Sequence, residues 1–117
     1  MTLAFEDLTP GFTRDYGDYE MTRDEIIAFA REFDPQPFHL EDEAGRASML
    51  GGLSASGWHT ACAAMRLHVD HFLRDSTCLG APGIEELRWL KPVRPGDRLR
   101  VHTQVLDGDV LHFRFAN

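Results

Sequence analysis

A chain of 117 residues with a formal charge of -7 at pH 7 is long enough for one hydrophobic core and too short for two of useful size, so it reads as one domain over residues 1–117. The acidic balance opposes a phosphate backbone and argues against a nucleic-acid partner, while 43% hydrophobic and 26% charged residues without a repeat argue against disorder. Cys62 and Cys78 stand at no metal or redox spacing, and neither a leader nor a bilayer span is legible, so a cytoplasmic protein with reduced cysteines and no membrane association is expected.

The first element in the chain to declare itself is a helix at Met21-Thr22-Arg23-Asp24-Glu25-Ile26: Thr22 can cap, Glu25 at N3 can complete a capping box, and Met21 can staple onto Ile26. Ile26, Phe29, Ala30 and Phe33 would form its apolar face. Pro35 ends it by pushing Asp34 out of the α region, and Pro37 does the same to Gln36. Asp34 and His39 thus lie on one proline-stiffened turn just past a helix end. Small residues from Leu50 to Gly57 then lead into a long helix from about Trp58 to Leu73. Its apolar stripe reads as Trp58, Cys62, Met65, Val69 and Phe72, widened by Ala61 and Ala64, which predicts a central, largely wrapped helix.

After Gly80-Ala81-Pro82-Gly83 the period changes to two. Ile84 to Leu90 is expected as a strand, and Leu99, Val101, Thr103 and Val105 alternate with polar residues in a second one. Between them, Pro95-Gly96 suits the central positions of a type II turn. A third strand carries Leu111, Phe113 and Phe115 on one face. A two-residue turn at Asp107-Gly108 would mix the faces, whereas a three-residue loop, Asp107-Gly108-Asp109, sets Val105 against Leu111, Thr103 against Phe113 and Val101 against Phe115. The chain then ends, leaving an unpaired edge or an absent final strand as the expectation.

Several residue groups carry possible chemistry. A carboxylate and an imidazole placed like Asp34 and His39 can share a water for acid-base work, and the helix end should raise the Asp34 pKa. The plain alternative is a turn residue and a surface histidine. At Ser56-Gly57-Trp58 the first N–H groups of a helix point outward, so Gly57 N–H can meet developing negative charge; Ser-Gly serving only as a cap is the alternative. The run from Gly52 to Gly57 has its second glycine one place late for a nucleophile elbow and no preceding strand, which excludes a serine hydrolase. His68 and His71, with His59 nearby, suit a solvated helix face better than a metal site. Arg88, Lys91, Arg94, Arg98 and Arg100 form the basic concentration of the chain, open either to phosphate contact or to outward strand positions.

These residues resemble a family, the MaoC-like dehydratases and (R)-specific enoyl-CoA hydratases. Its signature D-x-N-P-x-H is matched by Asp34-Pro35-Gln36-Pro37-Phe38-His39, with Gln36 in place of the asparagine. Ser56-Gly57-Trp58-His59-Thr60 is similar to the family's entry to its central helix, and Leu87 to Asp97 to its strand ending in P-V-x-x-G-D. The blocks fall in family order and cover almost the whole chain. The resemblance implies an α+β hot-dog fold, an antiparallel sheet wrapped around a long central helix, here either as a compact variant or without the last strand. It further implies a hydro-lyase that adds water to a trans-2-enoyl-CoA, or a related enoyl thioester, with acyl-CoA as substrate, no metal or redox cofactor, and a homodimer or higher homo-oligomer completing the site. Asp34 and His39 would handle the water and the proton, and Gly57 N–H the oxyanion. Met65 stands near where the family helix often carries a small polar residue. A hot-dog acyl-CoA thioesterase and a non-catalytic acyl-thioester-binding domain are the competing readings.

Overall fold

The computed structural model describes residues 3–77, 83–107 and 110–116. The order of elements is strand β1 (Thr13–Glu20), helix α1 (Arg23–Phe33), helix α2 (Asp42–Ala47), helix α3 (Gly57–His71) and strands β2 (Arg98–Asp107) and β3 (Val110–Ala116). Single 3-10 turns at Phe5–Asp7, Pro37–His39 and Leu73–Asp75 join them. The strands form one antiparallel sheet in the order β1-β2-β3.

Helix α1 starts as its sequence dictates. Thr22 caps it by accepting the Glu25 N–H at 3.3 Å, and Met21 and Ile26 are both fully buried in the core. The Glu25 carboxylate, expected to reach back to the cap, accepts the Tyr19 hydroxyl at 2.8 Å. Ala30 is buried as expected, but Phe33 at the last turn is exposed.

Strand β2 buries Leu99, Val101, Thr103 and Val105, as its alternation requires. Its pairing with β3 sets Val105 against Leu111, Thr103 against Phe113 and Val101 against Phe115. The register is the expected one, reached by a different device. Asp107 pairs with Val110, and the ladder is irregular between Val105 and Asp107, so the extra residue that preserves the faces is Leu106 inside the strand. Gly108 and Asp109 lie outside the described residues. At Pro95-Gly96 the expected turn is present: Gly96 has φ +90°, and Asp97 N–H donates to the Arg94 carbonyl at 3.1 Å.

One expected strand is absent and one unexpected strand is present. Residues 84–90 form no strand; Ile84 is 74% and Leu90 86% exposed. Alternation supplies a face but not a neighbour for the backbone groups, and among the described residues this segment has no ladder partner. Strand β1, conversely, has almost no apolar pattern. It is held by its ladder to β2, with Tyr16 opposite Val101 turned inward, and by Arg98 pairing with Asp18 and Glu20.

Helix α3 is central, and the expected stripe is buried only in part: Ala64 and Phe72 are buried and Ala61 and Val69 half-buried, but Trp58, Cys62 and Met65 are not. The buried residues are His59, Thr60, Ala63, Ala64, Leu67 and His68, whereas Trp58 is 58% exposed, Met65 51% exposed, and Cys62 exposed. Small side chains face the sheet because they let the helix lie close against it. Ala63, Ala64 and Leu67 pack there with Tyr16, Leu99 and Val101. His68 is therefore not on a solvated face: the Tyr16 hydroxyl meets His68 Nδ1 at 2.7 Å and Thr103 Oγ1 at 2.7 Å, a buried polar link between helix and sheet. No helix among the described residues is long and apolar enough to cross a membrane.

Candidate active site

The turn after α1 folds back because Asp34 N–H still bonds the Ala30 carbonyl at 2.8 Å while Pro35 forbids another helical residue. Pro37 then starts the Pro37–His39 turn, with extended Gln36 before it. This brings Asp34 Oδ2 to 3.4 Å from His39 Nε2. The same Oδ2 accepts the Ser56 hydroxyl at 2.8 Å, and Oδ1 accepts the Gln36 amide at 2.6 Å. Gln36 thus does a positioning task its single extra methylene does not prevent.

His39 is buried, and its Nδ1 lies 2.6 Å from the Ser54 carbonyl. A carbonyl only accepts, so Nδ1 carries the proton and, in the neutral ring, Nε2 offers a lone pair toward Asp34. For Asp34, burial pushes the carboxyl up, but the Gln36 and Ser56 hydrogen bonds and the neighbouring His39 outweigh it and hold the group below its ordinary value. That overturns the expected upward shift, which rests on the helix end without these three partners. Asp34 is thereby kept ionised, an acceptor of hydrogen bonds.

Ser56 precedes α3, its side chain fully buried and turned to Asp34 instead of capping the helix. Gly57 is the first helical residue, and its N–H has no intrahelical partner. Its carbonyl accepts the Trp89 indole N–H at 2.7 Å, and a Cβ at this position would lie 2.5 Å from the indole ring. The missing side chain is thus required first of all by Trp89, which also meets Trp58 edge-on at 5.4 Å.

These groups share a cavity of about 420 Å³. Asp34, His39, Gly57 and Thr60 line it together with the apolar side chains of Phe38, Leu50, Trp58, Trp89, Leu90 and Val93. The sequence spacing therefore brought together all its candidate site residues: Asp34, His39 and Gly57. It missed Thr60 and Trp89. Thr60 stands three residues after Gly57, where a search for a small polar group one turn along the helix would have found it; Met65, two turns on, is exposed. Trp89 had no signal, because its segment reads as a strand.

Other candidates disperse. Among the described residues no group of three or more His, Cys, Asp or Glu is placed to hold a metal ion. His59 stacks on Phe29 at 4.9 Å, its Nδ1 buried without a hydrogen-bond partner, while His68 is tied to Tyr16. The basic residues do not all gather in one place: Arg88 pairs with Glu86, Arg98 with Asp18, and Arg94 turns inward onto backbone carbonyls, while Lys91 lines the cavity.

A family model described as the MaoC like domain matches residues 7–114. A solved MaoC-like dehydratase from Rhodospirillum rubrum is 48% identical, with 86% of this chain and 68% of that one covered at a TM-score of 0.71. The (R)-hydratase from A. caviae involved in PHA biosynthesis is 19% identical, covers 94% of this chain and 86% of its own at a TM-score of 0.70, and speaks for the fold alone. The Bacillus subtilis protein YdeM is 27% identical over 105 residues, 90% of this chain and 74% of that protein. The architecture is the α+β hot-dog fold.

Proposed function

The chain belongs to the MaoC-like dehydratase family, and from that membership and the geometry of its cavity we propose that it adds water reversibly to a trans-2-enoyl-CoA, or a related enoyl thioester, to give a 3-hydroxyacyl thioester. One observation carries the reading: the Asp34 carboxylate and His39 Nε2, 3.4 Å apart, face an apolar cavity beside the first N–H of helix α3.

Two acceptors so placed can hold one water by both of its hydrogens. As the water oxygen bonds C3, His39 Nε2 takes one proton, and the imidazolium is balanced by Asp34. The C2–C3 double bond opens, the electron pair moves onto the thioester oxygen, and the Gly57 N–H and the positive end of α3 stabilise that enolate. The imidazolium then returns its proton to C2, so one water is consumed and its atoms end on C3 and C2. Reversal gives dehydration. Every proton is assigned to a side chain of the chain, and the scheme calls on no metal or redox cofactor.

Thioester hydrolysis would instead need a carboxylate directing water at the carbonyl carbon. Asp34 is the one carboxylate among the described residues lining the cavity, and its partners aim it at His39. A homodimer is part of the proposal: the outward Trp58 and Met65 on α3 give an apolar stripe that a second copy would cover. Crotonyl-CoA tests the chemistry. Loss of the enoyl absorbance without free thiol supports hydration, free thiol supports a thioesterase, and neither leaves a binding domain.

A further inference from the structure

Arg94 was grouped by sequence with outward basic residues, yet its guanidinium is turned into the protein. Nη1 donates to Ser54 Oγ at 2.9 Å and to the Leu53 carbonyl at 3.5 Å, and Nη2 donates to the Leu50 carbonyl. The guanidinium needs room that only glycine gives: a Cβ on Gly52 would lie 2.9 Å from Nη1, and Gly51 next to it has φ +73°. Arg94 is itself anchored, its N–H on Asp97 Oδ2 at 2.8 Å and the adjacent Val93 carbonyl on Ala55 N–H at 2.9 Å.

The segment Arg94 grips is the one that fixes the imidazole. Ser54, whose hydroxyl takes the guanidinium, accepts His39 Nδ1 on its carbonyl at 2.6 Å, and its N–H bonds the Phe38 carbonyl at 3.2 Å. We propose that Arg94 is a positioning residue: by clamping the 50–54 segment from behind, it holds the Ser54 carbonyl against Nδ1 and so keeps the His39 Nε2 lone pair directed at Asp34. The inference rests on the reading of His39 as the proton carrier. A planar fork reaching three acceptors suits this task, whereas a lysine ammonium is a point donor that cannot span them. Without the clamp the carbonyl can shift, Nδ1–H loses its acceptor, and the ring is free to take the other tautomer, in which Nε2 carries the hydrogen and accepts nothing.

The test combines Arg94→Met and Arg94→Lys with two readouts. With crotonyl-CoA, Arg94→Met should lose about 10- to 100-fold in kcat, as orienting partners of functional histidines do, with KM little changed. Nitrogen-15 spectra of ligand-free protein, with the His39 signals assigned from H39A, should show one tautomer in the parent, protonated at Nδ1, and a mixture in Arg94→Met. Arg94→Lys should lie between them in both readouts, and it carries the test if Arg94→Met does not fold. A folded variant that keeps the parent's tautomer, or its kcat, overturns the proposal, as does a parent protonated at Nε2. The spectra need no turnover, so an H39A protein of full activity would sink the hydratase reading while the role of Arg94 is still judged by the tautomer.

Discussion

Acidification should destabilise this fold through the buried His68, beginning above the range where carboxylates titrate. Burial pushes His68 down from 6.5 to about 4, because its ring sits between Tyr16 and Phe72 with little access to water. The unfolded chain takes its proton near 6.5, whereas the native state refuses it until about 4, so stability is intact above 6.5 and falls as pH drops through this window. A shift of that size amounts to about 3 kcal/mol at its full extent, a large part of a small domain's stability. His68→Asn keeps a polar group within reach of the Tyr16 hydroxyl and removes the titration. Urea unfolding between pH 7 and pH 4 measures the difference: the parent should lose about 3 kcal/mol more than the variant across the window. A variant with the parent's pH slope would refute the reasoning, showing that His68 is protonated in the folded state or titrates alike in both.

Three further outcomes follow from the site and its scaffold. Ser56→Ala removes a hydrogen bond that holds Asp34 low, so the acid limb of the pH-rate profile should move to higher pH, with a fall of about tenfold in kcat from the lost bond to a charged group; an unmoved limb would contradict the role given to Ser56. Gly57→Ala drives a Cβ to 2.5 Å from Trp89, which should displace the indole, change tryptophan fluorescence and cost about 1–3 kcal/mol in thermal unfolding. Thr22→Ala, at the α1 cap, should cost about 1 kcal/mol in the same assay and leave activity per folded molecule unchanged.

What was legible in the sequence is what local chemistry decides. The cap at Thr22, the stop at Pro35, the Pro95-Gly96 turn and the alternation of β2 each depend on a few adjacent residues, and the structure has them all. The pairing of Asp34 with His39 was legible in the proline-stiffened turn, whereas the closeness of Gly57 to them was legible only through the resemblance, since it depends on Ser56 meeting a turn some twenty residues earlier. Orientation was not legible where partners decide it. Helix α3 turns Ala63 and Ala64 to the sheet because closeness matters there more than apolar size, so Trp58 and Met65, large members of the expected stripe, face outward. Strand β1 is carried by its neighbour, and residues 84–90 have the pattern of a strand without one. The Asp34 pKa direction failed for a related reason: the helix end is visible in sequence, but the Ser56 hydroxyl is not.

The central claim is that Asp34 and His39 act together on one water at an enoyl thioester, and the most direct test follows crotonyl-CoA with the parent, D34N and H39A in parallel. The enoyl absorbance should fall with the parent, no thiol should be released, and each variant should lose about 10²-fold or more in kcat while remaining folded. Release of free thiol by the parent, or hydration by H39A at the parental rate, would contradict it.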